Sequence, residues 1–197
     1  MKTTLLFLSV FISVSLFGQS TYFDSGIEHY DKGEYQEAID DFTRQIKINP
    51  DYANLYYNRG LAYGELGKVQ EAIGDYTRAI KIDPDYAYAY NNRGLAYGEL
   101  GKHQEEIDDY TSAIKINPDD ALAYNNRGLT YEELGKVQEA IDDYTTAIKI
   151  DPDYADAYNN RGICKSKLGI DHCSDFKRAC ELGNENGCQN FKIGNCN

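Results

Sequence analysis

The tripeptide Asn-Arg-Gly recurs at residues 58–60, 92–94, 126–128 and 160–162, a strict spacing of 34 residues. Self-similarity at that period marks a stacked array, in which each unit is too small to bury its own apolar face and must borrow its neighbours. The meaning of any residue is therefore set first by its position within the unit. Units numbered from 1 to 34 begin at Gln19, Ala53, Ala87, Ala121 and Ala155. Position 4 is then Tyr22, Tyr56, Tyr90, Tyr124 and Tyr158, and position 8 is Gly26, Gly60, Gly94, Gly128 and Gly162. A second glycine at position 15, such as Gly67 or Gly135, suits the left-handed turn that ends a helix. Pro50, Pro84, Pro118 and Pro152 cannot continue a helix and close each unit. Between these marks, Ile39, Phe42 and Ile46, like Ile73, Tyr76 and Ile80, fall on one helical face. Each unit reads helix, glycine turn, helix, proline turn.

This pattern resembles the tetratricopeptide repeat family. The residues that carry the resemblance are the aromatic at 4, Gly at 8, Tyr at 11 (Tyr63, Tyr97, Tyr131), Ala at 20 (Ala38, Ala72, Ala140), the aromatic at 24 (Phe42, Tyr76, Tyr110, Tyr144), Ala at 27 (Ala79, Ala113, Ala147) and Pro at 32. Gln45 departs from it at position 27 of the first unit. The resemblance implies an all-α fold, a right-handed superhelical solenoid of antiparallel helix pairs with a concave groove. Four units are expected at 19–52, 53–86, 87–120 and 121–154, followed by a degenerate fifth unit and cap over 155–197. Gly at 8 and Ala at 20 would let the two helices of a unit approach closely, and the 18 tyrosines read mainly as packing residues.

Two features go beyond the family pattern. Arg59, Arg93, Arg127 and Arg161 stand at position 7, where the family commonly has leucine, and Asp41, Asp75, Asp109 and Asp143 stand at position 23. Ser25 replaces the arginine in the first unit. Half-buried charges persist when paired, so an Arg–Asp ladder between helices is expected. The second feature is Glu106 at position 20, where the other units place alanine. A lone buried carboxylate is costly, so either the helix shifts or Glu106 finds His103 one turn away.

The resemblance places the groove on the first helix of each unit, chiefly at positions 2, 5, 9 and 12. Position 5 supplies Tyr57, Asn91, Asn125 and Asn159, and position 9 supplies Leu61, Leu95 and Leu129. Position 6 is an amide column, Asn58, Asn92, Asn126 and Asn160. Each amide offers a donor and an acceptor. The column could therefore grip an extended peptide backbone, as in the similar asparagine ladder of O-linked N-acetylglucosamine transferases, or simply bond the adjacent helix. A carboxylate clamp is not expected, because position 9 is apolar and Glu65, Glu99 and Glu133 at position 13 are acidic.

All five cysteines, Cys164, Cys173, Cys180, Cys188 and Cys196, lie in the last 34 residues. There the register shortens, Asp175-Phe176 matching Asp143-Tyr144 only after a two-residue deletion. The stretch Ala179 to Cys188 resembles the Sel1-like cysteine-rich repeats, which implies a Cys180–Cys188 disulfide. A zinc set of Cys164, His172, Cys173 and Cys180 is the alternative, against which stands the lack of a Cys-x-x-Cys spacing. The odd cysteine leaves a free thiol or an intermolecular bridge open.

The first eighteen residues, with Lys2 and an apolar run from Leu5 to Phe17, read as a signal peptide cut near Gly18, the alternative being an uncleaved anchor. Its loss takes the formal net charge from −12 to −13 by removing Lys2. Such a charge disfavours nucleic acid and anionic lipid as partners. His29, His103 and His172 sit in different units, and no phosphate loop, zinc-protease motif or nucleophile elbow is present. No cofactor is implied. The expectation is an exported, periplasmic or secreted, non-catalytic scaffold binding a protein or peptide. A self-associating structural module and an enzyme of the Sel1-like class are the alternatives.

Overall fold

The computed structural model describes residues 22–194 and Cys196; the expected leader and its cleavage point lie outside them. Among the described residues all regular structure is helical: α1 (22–31), α2 (Tyr35–Ile48), α3 (Ala53–Glu65), α4 (Val69–Ile82), α5 (Ala87–Glu99), α6 (His103–Ile116), α7 (Ala121–Glu133), α8 (Val137–Ile150), α9 (Ala155–Lys167), α10 (Cys173–Glu181) and α11 (Glu185–Ile193). No described helix is long and apolar enough to cross a membrane. The residues form two compact units, the division falling between Ala96 and Tyr97 within α5.

In the first unit, the aromatic at position 24 is the pivot of each helix pair. A Cβ added to Gly26 would lie 2.7 Å from the Phe42 ring, and one added to Gly60 would lie 2.7 Å from the Tyr76 ring. Glycine at 8 is thus required by close packing, since a methyl would occupy the ring's space. Leu55 and Ala62 of α3 join Ala38, Ile39 and Phe42 of α2 in one buried cluster. A second cluster links Ala53 and Tyr56 of α3 to Ala79 of α4 and Ala89 of α5. The core therefore passes from pair to pair, as stacking demands.

The second unit repeats this construction. Gly128 meets the Tyr144 ring at 2.7 Å and Gly162 meets Phe176 at 2.6 Å, measured from the same added Cβ. Phe176 thus fills the position-24 role despite the two-residue shortening, because α10 lacks the first turn that α8 has and a longer loop, between Lys167 and Cys173, takes its place. Ala140, Ile141 and Tyr144 of α8 cluster with Cys164 of α9, and Ala147 and Ile148 with Ala157. The turn after α7 has its sequence cause on view: Gly135 adopts φ +72°, its N–H bonds Glu132 at 3.0 Å, and Lys136 N–H bonds Tyr131 at 2.8 Å. These two bonds satisfy carbonyls that the helix end would leave open. Asp120 caps the start of α7 by accepting from Leu122 and Ala123 N–H.

Candidate functional site

The expected Arg–Asp ladder is present and two-pronged. Arg59 donates from Nε and Nη2 to Asp75, both at 2.7 Å. Arg127 donates to Asp143 at 2.8 and 2.7 Å, and Arg161 to Asp175 at 3.0 and 2.7 Å. The fork geometry is what lets these carboxylates sit buried. In the first repeat, Ser25 donates to Asp41 at 2.6 Å and Arg44 from the next turn supplies the cation at 3.1 Å. The hydrogen bonds to Asp143 hold the Arg127 guanidinium more firmly charged. The sequence reading missed the third prong: Nη1 of Arg59, Arg93, Arg127 and Arg161 donates to Thr43, Thr77, Thr111 and Thr145, at 2.9, 3.0, 3.0 and 3.2 Å. Those threonines belong to the preceding repeat, and their own 34-residue spacing was the available signal.

The tyrosines gain a second role from the same arginines. The Arg127 guanidinium lies 5.7 Å from the Tyr124 ring centre and 5.8 Å from that of Tyr131, and Arg59 is set likewise between Tyr56 and Tyr63 at 5.7 and 5.9 Å. Lys68 and Lys136 sit over Tyr63 and Tyr131 at 5.8 and 5.7 Å. The rings at 4 and 11 are thus cation–π walls for the ladder.

Glu106 does find His103, with Nδ1 3.2 Å from its carboxylate, and it also takes the Tyr110 hydroxyl. A Cβ on Gly98 would lie 2.7 Å from a Glu106 oxygen, so glycine at position 12 makes the space. The next repeat solves the same need from the opposite helix. There Glu132 stands at position 12 with Ala140 at 20, and Glu132 accepts from Tyr144 at 3.2 Å and from Lys167 at 2.7 Å. Burial beside Glu132 pushes the Cys164 thiol up to about 12. Cys164 is free and fully buried, so it is a protonated core residue and not the intermolecular bridge that the odd cysteine left open.

The expected groove residues divide. At position 5, Asn91, Asn125 and Asn159 are buried at 5, 5 and 6 % exposure, which corrects their assignment to a ligand-facing wall. Asn125 and Asn159 sit at the seam between successive first helices, where the second repeat uses half-buried Tyr57. Asn92 and Asn160 of the position-6 column are spent on that seam, while Asn58 bonds within its own helix. Asn160 donates to Asn125 at 3.2 Å, Asn92 to the Tyr57 hydroxyl at 3.2 Å, and Asn58 to Asn54; Asn190 of α11 extends the series to Asn159 at 2.9 Å. Asn126 is half-buried. Position 9 stays open, with Leu95 and Leu129 exposed at 46 and 39 % and Leu61 half-buried. Position 2 joins it through Tyr88 and Leu122, exposed at 65 and 52 %. In the second unit a cavity of about 420 Å³ is lined by Leu129, Glu132, Glu133, Asn160, Ile163 and Lys167.

At the C-terminal end, Cys180 and Cys188 are bonded, with Cα atoms 4.4 Å apart, and Cys173 is bonded to Cys196. The zinc set weighed from sequence is therefore not assembled, two of its cysteines being committed to other partners.

Helix pairs joined by left-handed glycine turns, with a core shared between successive pairs inside each unit, define an α-helical repeat protein. The chain belongs to the tetratricopeptide repeat family. Profiles described as "TPR repeat" match residues 26–67, 63–101 and 99–135, and profiles described as "Tetratricopeptide repeat" match 121–154 and 143–181. Among solved structures it is similar to MamA, at 28% identity with 84% of this chain and 91% of that chain covered and a TM-score of 0.76. MamA from Desulfovibrio magneticus RS-1 matches at 17% identity, 90% and 97% coverage and TM-score 0.74. YrrB, a TPR protein with an unusual peptide-binding site, matches at 17% identity, 87% and 90% coverage and TM-score 0.72. No curated protein matches the sequence.

Proposed function

We propose that this protein is a non-catalytic interaction scaffold of an exported compartment, holding a partner protein segment against the first-helix face of α7 and α9. The observation that carries this is the pair Leu122 and Leu129, seven residues apart on α7 and exposed at 52 and 39 % beside the cavity that Ile163 and Asn160 complete. Apolar side chains two turns apart on one face offer anchor points, while an exposed carboxylate, Glu133, flanks them. The complementary ligand is a segment with an aliphatic residue next to lysine or arginine, which also suits the acidic chain. Export is supported by the leader-like first eighteen residues and by two disulfides, which persist in oxidising compartments.

A displayed peptide library panned on the chain lacking residues 1–18 tests this. Enrichment of aliphatic-plus-basic sequences is expected, with the doubly substituted Leu122→Glu/Leu129→Glu chain losing at least tenfold in affinity at unchanged helicity, since each anchor is worth on the order of 1–2 kcal/mol. No enrichment, or binding indifferent to both substitutions, overturns the proposal. Self-association is the second reading, favoured by Leu168, Ile170 and Ile193, exposed at 47, 46 and 78 % near the C-terminal end. Sedimentation across a concentration series separates the two, a strict monomer excluding self-association.

A further inference from the structure

The C-terminal end holds a group of side chains that a scaffold does not need. Cys173 opens α10, Cys196 follows α11, and their Cα atoms are 5.3 Å apart across the disulfide. His172 immediately precedes α10, with Nδ1 3.0 Å from the Ile170 carbonyl. A carbonyl only accepts, so Nδ1 carries the proton and the neutral ring keeps its lone pair on Nε2. One ligand atom from each of His172, Cys173 and Cys196 lies within 4.8 Å of the others. A Cβ added to Gly194 would stand 3.2 Å from Cys196 Sγ and 3.4 Å from His172 Nε2, so sulphur and ring nitrogen border the same small space. The ring is steadied edge-on against Phe176, with centres 5.4 Å apart. A cavity of about 240 Å³, bounded by His172, Phe176, Asn190 and Gly194, opens beside it.

A histidine with one ring nitrogen tied to a backbone carbonyl and the other bordering the same space as Cys196 Sγ is arranged as metal ligands are. We propose that the reduced form of this end is a three-ligand site for a thiophilic divalent cation of the zinc class, held by His172 Nε2, Cys173 Sγ and Cys196 Sγ, with water as the fourth ligand. A dithiol reductant delivers two electrons and two protons to the Cys173–Cys196 bond and becomes a disulfide itself. The sulphur–sulphur bond breaks and two thiols form. The cation then displaces both thiol protons to solvent and binds the two thiolates. The start of α10 and the chain beyond α11 are thereby clasped in either redox state, by a covalent bond when oxidised and by the metal when reduced.

The test uses the whole chain, reduced with a phosphine so that no chelating thiol remains, then titrated anaerobically with cobalt(II) and back-titrated with zinc. The expected result is one equivalent bound with thiolate-to-cobalt charge-transfer absorption, displaced by zinc and not seen with oxidised protein. Cys173→Ser/Cys196→Ser should abolish the absorption, Cys180→Ala/Cys188→Ala should leave it, and His172→Ala should weaken binding by roughly tenfold or more. The proposal is overturned by absence of the band in the reduced chain, by its survival in Cys173→Ser/Cys196→Ser, or by its loss in Cys180→Ala/Cys188→Ala. His172→Ala keeps all five sulphurs, so unchanged affinity in that variant overturns the proposal even if the cysteine variants misfold.

Discussion

At the scale of single residues, the Arg–Asp pairs combine burial with full bonding. The Arg127 and Asp143 side chains are exposed at 16 and 9 %. Removing one partner leaves the other charge half-buried without compensation, so Asp143→Ala should cost about 2–3 kcal/mol in chemical denaturation. Arg127→Leu/Asp143→Leu, which removes both charges and restores apolar packing, should lie close to the starting protein or above it. A double variant no better than the single one would show that the ladder's worth lies in the arginine's hydrogen bond to Thr111 and its cation–π contacts with the neighbouring rings. The ladder was legible in the sequence because both partners repeat with the array. The third prong is not legible there, because threonine at position 25 is compatible with an exposed helix face and offers no charge to demand a partner. Asn125 and Asn159 were misplaced for a related reason: an amide reads equally as ligand-facing or seam-forming until its depth is known, and both are buried against neighbouring amides.

At the scale of elements, the helix pairs followed from periodicity, glycine and proline alone, since those residues act locally. The terminal element did not. Helices α10 and α11 are nine residues each, too short to be stable in isolation. They are held by Gly187 pressed on Ala179, with an added Cβ only 2.6 Å from that methyl, and by two disulfides. Spacing could not give the Cys173–Cys196 pairing, because it depends on the fold-back of α11. The loops they close span 8 and 23 residues, for which chain entropy predicts about 2.5 and about 3.4 kcal/mol. In metal-free buffer with reductant, amide exchange within 173–193 should therefore accelerate while α3 and α4 keep their protection. Uniform acceleration along the chain would mean that the end is not an independent cap.

At the scale of the whole molecule, the tyrosines make alkali the natural denaturant. Burial raises the phenols of Tyr57, Tyr76, Tyr86, Tyr110, Tyr144 and Tyr154, and burial near Glu65 pushes Tyr30 up to about 12. An unfolded phenol ionises near 10. Each group therefore contributes stability that is complete below pH ~10 and is lost as pH rises towards its folded value. Tyrosinate absorbance should rise in two phases, the second coincident with loss of helical circular dichroism; a single phase near pH 10 with helices intact would contradict this. The arginine's reach to the threonine of the unit before it has a further consequence. Every such bond joins positions of the same kind in consecutive repeats, so excising or duplicating 34 residues regenerates the identical donors and acceptors across the new junction. Array length is then a quantity that recombination can change without redesign, and near-identical segments such as Lys68-Val69-Gln70 and Lys136-Val137-Gln138 are the trace such copying would leave.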